Sequence, residues 1–313
     1  MSADTTADKP AMAATPAAGS TQLFADAKGR LVAAPEFGGV PIADTHAHLD
    51  MLSDPGLALS NAARAGIGLV ATVADASEDA ERTYAELPGW LDSAAKLLAV
   101  ADPAGEAVIP KVRIIVGVHP HNAKEFTLEV EERMRRLAAD PRTCAIGEIG
   151  LDYHYDNSPR DVQRAVFESQ LCLAHELHLP VVVHLREAHG DGERILKRVG
   201  IPAAGCILHC YNLGPDLLGR FLDLGCTVSF AGPVTFKKAT DVREAAAHVP
   251  AGRILTETDC PFMAPEPFRG RDNEPAYTVF TAARIAEARG ETAPEFAAAA
   301  WEAARNLLDR PRP

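Results

Sequence analysis

Between Pro41 and Asp259 the sequence repeats one pattern eight times: a short apolar run rich in β-branched residues, then a stretch with helical length or period. The runs fall at 42–48, 67–74, 112–119, 144–151, 180–185, 206–211, 226–231 and 254–259. Apolar runs of this length bounded by turn residues read as strands, and a helix after each strand makes the next one pair in parallel. Eight such units over about 270 residues match a closed (β/α)₈ TIM-type barrel, whereas an open doubly wound sheet normally stops near five or six strands. The helical signals agree. Ser158-Pro159 opens the stretch 158–178 as an N-cap and first helical residue should, and Thr127 caps 127–139. Segment 77–111 holds a helix and a loop around Pro103 and Gly105, and two last helices, 275–289 and 293–309, are expected to complete the wall.

Two domains of unequal weight follow: a tail, 1–38, and the barrel, 39–313. The tail is low in complexity, rich in Ala, Thr, Ser, Pro and Gly, and without a sustained period, so it reads as disordered or loosely attached. The alternative is a small hairpin over 22–32 added to the barrel's bottom. The whole chain, 313 residues of which 47% are hydrophobic, can bury a sizeable core. Its 43 acidic against 31 basic residues give a net charge of −12, which excludes overall electrostatic affinity for nucleic acid or an acidic membrane. A polyanionic substrate must be drawn in locally. Six cysteines without a CxxC pair fit a reducing compartment, and the absence of a leader pattern or an 18-residue apolar stretch reads as a soluble, cytoplasmic protein.

Chemistry concentrates at the C-terminal ends of five of the eight runs, which in a barrel converge on one face. His46 and His48 lie two apart, on the same side of a strand, and can grip one ion. Alone, an HxH is a weak signal. Glu148 falls inside an apolar run and needs a partner, since burying an unpaired carboxylate costs several kcal/mol; the alternatives are an arginine or a pair of cations. His184 and His209 each close three apolar residues; one such histidine is usually a satisfied core residue, but two on neighbouring strands beside the others point to ligands. Asp259, placed by alternation on the face of Leu255 and Glu257, stands at the rim to bind metal and accept a proton. Glu257 reads as deeper support. The set His46, His48, Glu148, His184, His209 and Asp259 implies two divalent cations per chain: mixed imidazole and carboxylate ligands suit Zn, Mn or Fe, with Mg the oxygen-preferring alternative. Two such cations against two carboxylates leave a local positive excess that could hold a phosphate, and would lower the pKa of a bridging water towards about 7.

These residues, with DTHAHLD, GVHPH at 117–121, GEIGLDYHYD at 147–156, LPVVVHLR at 179–186, SFAGPVTFK at 229–237 and TETDCPFMAPEPFRG at 256–270, resemble the TatD family of metal-dependent deoxyribonucleases in the amidohydrolase superfamily, from Ile42 to Asn306. The resemblance implies that His46, His48 and Asp259 bind one cation, that His184 and His209 bind the other, and that Glu148 bridges them. Related lactonases and phosphotriesterases carry a modified lysine at the bridge; the ordinary glutamate here points to the TatD branch. It further implies a cytoplasmic 3′-to-5′ exonuclease acting on DNA or another phosphodiester, with Asp259 and Glu148 catalytic. Two departures stand out. Cys210-Tyr211-Asn212-Leu213-Gly214 replaces the usual Cys-Phe-Ser-Gly, and Asp272 falls where a base is common. His119 and Arg186 are expected to touch substrate, while His175 and His178 are structural. Cys210 and Cys260, next to ligands at odd spacing, should face away from the metals. The competing activities are a deacylase or amidohydrolase on an ester or amide such as aminoacyl-tRNA, and a non-catalytic binding protein.

Overall fold

Each apolar run becomes a strand because it is buried from both sides, by the barrel interior and by the helix that follows it. The computed structural model describes residues 23–26 and 28–310. Among these, the strands are β1 (Ile42–Ala47), β2 (Ile67–Asp75), β3 (Lys111–Gly117), β4 (Thr143–Asp152), β5 (Val181–Arg186), β6 (Cys206–Leu208), β7 (Thr227–Phe230) and β8 (Ile254–Thr256). They form one parallel sheet in sequence order. The ring closes where Ala47 bridges Cys260 in parallel and Thr256 Oγ1 donates to Ala43 O at 2.8 Å.

Helices α1 (Pro55–Arg64), α2 (Ala80–Ala101), α3 (Leu128–Ala138), α4 (Arg160–Glu176), α5 (His189–Val199), α6 (Pro215–Leu224), α7 (Thr240–His248) and α8 (Thr278–Arg289) follow the strands in turn. Helix α9 (Ala293–Leu308) does something else. Its Ala303, Ala304 and Leu308 share one apolar cluster with the interior residues Leu69, Ala145, Val182 and Leu255, and it touches β1, β4 and β8, strands on opposite sides of the ring. It therefore plugs the lower end of the barrel rather than completing the wall. The small alanines allow that close approach, and the functional groups are left to the upper end.

Local signals were mostly obeyed. Thr127 Oγ1 accepts from Val130 N, and Thr292 with Glu295 forms a capping box on α9. Ser158 departs from expectation: α4 starts at Arg160 with Pro159 before it, and Ser158 Oγ instead accepts from Lys124 N and donates to His121 O, stitching the β3 and β4 loops together.

The end of the tail also differs. Ala25 bridges Leu31 in antiparallel fashion, Val32 N donates to Phe24 O, and Phe24 packs edge-on against Phe280 with centroids 4.9 Å apart. Phe268 and Tyr277 complete its nest. A hairpin contact is thus present, but it lies beside the loop after β8, at the upper end, because Arg271 Nη1 reaches Ala25 O at 2.6 Å. The remainder of the expected tail, 1–22, lies outside the described residues.

Candidate metal centre

The first strand positions its ligands through a carboxyl below them. Asp44 is fully buried, accepting from Thr258 N at 2.8 Å and Thr258 Oγ1 at 2.6 Å, and burial pushes its carboxyl up to about 8. That contact ties β1 to the segment after β8. Asp259 N then donates to His46 O at 2.9 Å. Strand alternation does not deliver Asp259: β8 ends at Thr256, and Asp259 sits in a left-handed turn at φ 56. Its carboxylate still reaches the same face, with Oδ1 3.4 Å from His48 Nε2 and 3.8 Å from His46 Nε2.

Glu148, from β4, lies at the middle. Its two oxygens divide the histidines between them. Oε2 is 3.1 Å from His46 Nε2 and 4.0 Å from His48 Nε2; Oε1 is 2.7 Å from His184 Nδ1, 2.9 Å from His209 Nε2 and 3.5 Å from His119 Nε2. All six residues singled out as ligands are therefore brought together, and His119 with them. His46 also stacks on His209, centroids 3.9 Å apart. Burial would raise the Glu148 carboxyl, but His209, His119 and His46 outweigh it and hold the group well below its ordinary range. Burial likewise opposes the charge on His209, which Glu148 and Glu257 overcome, raising it well above the usual imidazole value. His46, by contrast, is lowered by burial and by neighbouring His209.

Two further carboxylates hold these rings from behind. Glu257, fully buried, accepts from Cys210 N at 2.7 Å and pairs with His209 Nδ1 at 3.1 Å. Asp152, at the end of β4, is 3.2 Å from His184 Nε2 and 3.0 Å from His121 Nε2, and accepts the backbone N–H groups of His154 and Tyr155. Those histidines and N–H groups draw its carboxyl down against the opposing effect of burial. Asp152, like Glu148 a carboxylate inside a buried strand, needs partners for the same reason, and its sequence signal is that burial alone.

Divalent cations fit this donor set. The ion-pair partners of buried Glu148 among the described residues are imidazoles, not guanidinium or ammonium groups, and neutral imidazoles cannot balance a carboxylate. His46 Nδ1 is moreover buried without a hydrogen-bond partner. One ligand atom from each of His46, His48 and Asp259 lies within 4.8 Å of the others, and the same holds for His119, Glu148 and His184.

A family model described as TatD related DNase matches residues 43–309. The chain belongs to the TatD family. It is 36% identical over 262 residues to the metal-dependent hydrolase YcfH of Escherichia coli (strain K12), covering 82% of this chain and 91% of that one. It is 38% identical over 197 residues to the 3′-5′ ssDNA/RNA exonuclease TatD of Pantoea vagans (strain C9-1), covering 61% and 76% respectively. Among solved structures, that of YJJV, a TatD homologue from Escherichia coli K12, aligns with TM-score 0.76 and 27% identity over 87% of this chain and all of the other.

Within the TatD framework, the departures acquire physical content. Asn212 is exposed, and of the two arginines kept in the later segment Arg271 is spent on the backbone of Ala25 and Asp26, anchoring the N-terminal segment, while Arg269 lies over the Phe236 ring. Arg186 forms no ion pair with Glu148; its guanidinium lies over the Tyr155 ring, 4.7 Å from the centroid. Cys260 turns into the core as expected. Cys210 instead sits in a left-handed turn near Asp259, Glu257 and Glu148, and burial together with those carboxylates raises its thiol well above the ordinary value, which keeps it protonated. His175 bonds Gly200 O, away from the centre.

Proposed function

We propose that this TatD-family chain is a metal-dependent phosphodiesterase that trims nucleic acid from the 3′ end. The observation that carries the reading is the division of labour at Glu148, one oxygen turned to His46 and His48 and the other to His184 and His209. His46, His48 and Asp259 would hold one divalent cation, His184 and His209 a second, and Glu148 both. The exonuclease name of the Pantoea vagans relative supports a phosphodiester substrate over an ester or amide.

Bound cations of this kind supply Lewis-acid stabilisation of phosphoryl charge and lower the pKa of water. The chain's own groups do the rest. Asp259, kept ionised by His48, His209 and His46 against burial, is placed to accept the proton of an attacking water. His119 Nδ1 accepts from His121 N at 3.2 Å, which leaves an N–H on Nε2, the atom facing the centre. That N–H would donate to a non-bridging phosphate oxygen, and Arg186 at the rim would neutralise a second phosphate. Asp152 orients His184 and His121 together. Electrostatic attraction is confined to this pocket, because the chain carries −12 overall. The cysteines are unpaired, which fits a reducing compartment such as the cytoplasm, and no described helix is long and apolar enough to cross a membrane.

The test is hydrolysis of 5′-labelled single-stranded DNA with a free 3′ end set against aminoacyl-tRNA, lactone and amide substrates, with metal analysis of the purified protein. Stepwise release of nucleotides from the 3′ end, lost in Glu148→Ala together with bound metal, is expected. Turnover confined to the ester or amide substrates would overturn the reading.

A further inference from the structure

The imidazoles of the metal centre form a row, and an exposed aromatic ring stands at each end of it. At one end Phe262 meets His48 edge-on, with centroids 6.0 Å apart; at the other Tyr155 meets His121 at 5.3 Å, and His121 in turn meets His119 at 4.4 Å. The ligand rings between them are largely buried, yet Phe262 is 47% and Tyr155 55% exposed. A single exposed ring needs no explanation. Two of them flanking one site, each locked to it, do.

The locks are specific. Phe262 N donates to Asp259 O at 2.9 Å, and Asn273 Nδ2 donates to Phe262 O at 2.7 Å. Tyr155 N donates to Asp152 Oδ1 at 2.9 Å, the carboxylate that also orients His184. The backbone beneath each ring is thus tied to a residue of the centre, at Tyr155 through the Asp152 carboxylate and at Phe262 through the Asp259 carbonyl, and needs little ordering when a ligand arrives. The Arg186 guanidinium over Tyr155 adds a second planar face and a charge at the same end. Charge on the whole molecule works against a polyanion, since 43 acidic residues face 31 basic ones. Beyond the local attraction of the pocket, affinity for a nucleic acid must therefore come from contacts that do not depend on net charge, and base stacking is one of these.

We propose that Tyr155 and Phe262 are the stacking platforms for the two bases that flank the scissile phosphate, with Arg186 taking the phosphate next to Tyr155. A base held against a side chain cannot also lie stacked and paired in a duplex, so these rings select an unpaired 3′ end. The inference rests on the phosphodiesterase reading above and adds which residues recognise the strand.

The experiment compares kcat/KM of the metal-loaded protein on a short single-stranded oligonucleotide and on the same strand made abasic at its two 3′-terminal positions. The wild-type protein should prefer the intact strand by about tenfold or more, the stacking contribution expected per base. Tyr155→Ala and Phe262→Ala should each raise KM on the intact strand by about tenfold and shrink that preference, while Tyr155→Phe keeps it. Equal rates of the wild-type protein on both strands, or an undiminished preference in the alanine variants, would overturn the proposal while leaving the phosphodiesterase reading intact. If no strand is cut, that reading fails by itself, and strands bearing 2-aminopurine at one or the other of the two 3′-terminal positions decide the platforms: quenching by the intact protein that each alanine variant loses at one of the two positions supports them, and no quenching, or quenching that both alanine variants keep, sinks them.

Discussion

Glu257 shows how a carboxylate far away in the chain can govern a candidate ligand, His209, from behind. Its Oε1 receives Cys210 N and faces His209 Nδ1, which leaves His209 Nε2 aimed at Glu148. A carboxylate behind a metal-binding imidazole fixes the ring and raises its basicity, and replacing one typically costs 10- to 100-fold in metal affinity or activity. Glu257→Gln is expected to weaken metal binding by about tenfold or more while the fold survives, because the amide oxygen can still accept from Cys210 N. Titrating metal into the chelated variant and following thermal stability measures this; unchanged affinity would reduce Glu257 to a packing residue. At this scale the residues that the fold gathers around Glu148 were legible, since polar residues ending apolar runs stand out. Asp152 was not, because it was read as part of a motif rather than as a buried charge needing partners. The tether of Cys210 to Glu257 depends on a left-handed turn that no spacing rule reveals.

Elements were legible where one period dominates and illegible where packing decides. Strands β6 and β8 are three residues each, shorter than the runs that announce them, because the chain leaves the ladder to present His209 and Asp259. Strand β4 runs flush against its neighbour at Gly150, where φ is +143 and an added Cβ would lie 2.0 Å from His184 O; glycine is what lets the Glu148 strand approach the His184 strand. The contact of the N-terminal segment with the barrel was hard to read for a related reason: composition measures average burial, and a few side chains, Phe24 at 2% exposure foremost, make the docking. Burying one phenylalanine contributes about 1.5–3 kcal/mol. Ordering the nearby backbone costs about 1–2 kcal/mol per residue, so the docking is marginal and leans on Phe24. Phe24→Ala should therefore release this segment without unfolding the barrel. Tryptic cleavage at Lys28 and Arg30 is expected to accelerate by at least tenfold, with the main thermal transition moving by less than about 2 °C, a shift equivalent to under about 1 kcal/mol. A drop in that transition comparable to a core deletion would show that the segment is part of the barrel's own core.

For the whole molecule, the closed ring and the plug of α9 decide where function can be. The lower end is filled by apolar side chains against Ala303, Ala304 and Leu308, which leaves the titratable cluster at the upper end, gathered from β1, β4, β5, β6 and the turn after β8. Because these elements span almost the full length of the barrel, a ligand that joins them is coupled to global unfolding. Each cation site filled at 100 times its Kd adds about 2.7 kcal/mol to stability, since the unfolded chain keeps none of this geometry. Chelation of the metal-loaded protein should therefore lower its melting temperature by about 5 °C or more, and Zn or Mn should restore it. Glu148→Gln, which removes the charge that faces both halves of the site, should melt at one temperature with or without chelator. A wild-type protein whose melting ignores chelator and added metal alike would mean that the five imidazoles around Glu148 are held together by their own hydrogen bonds, and the two-cation reading would fall with it.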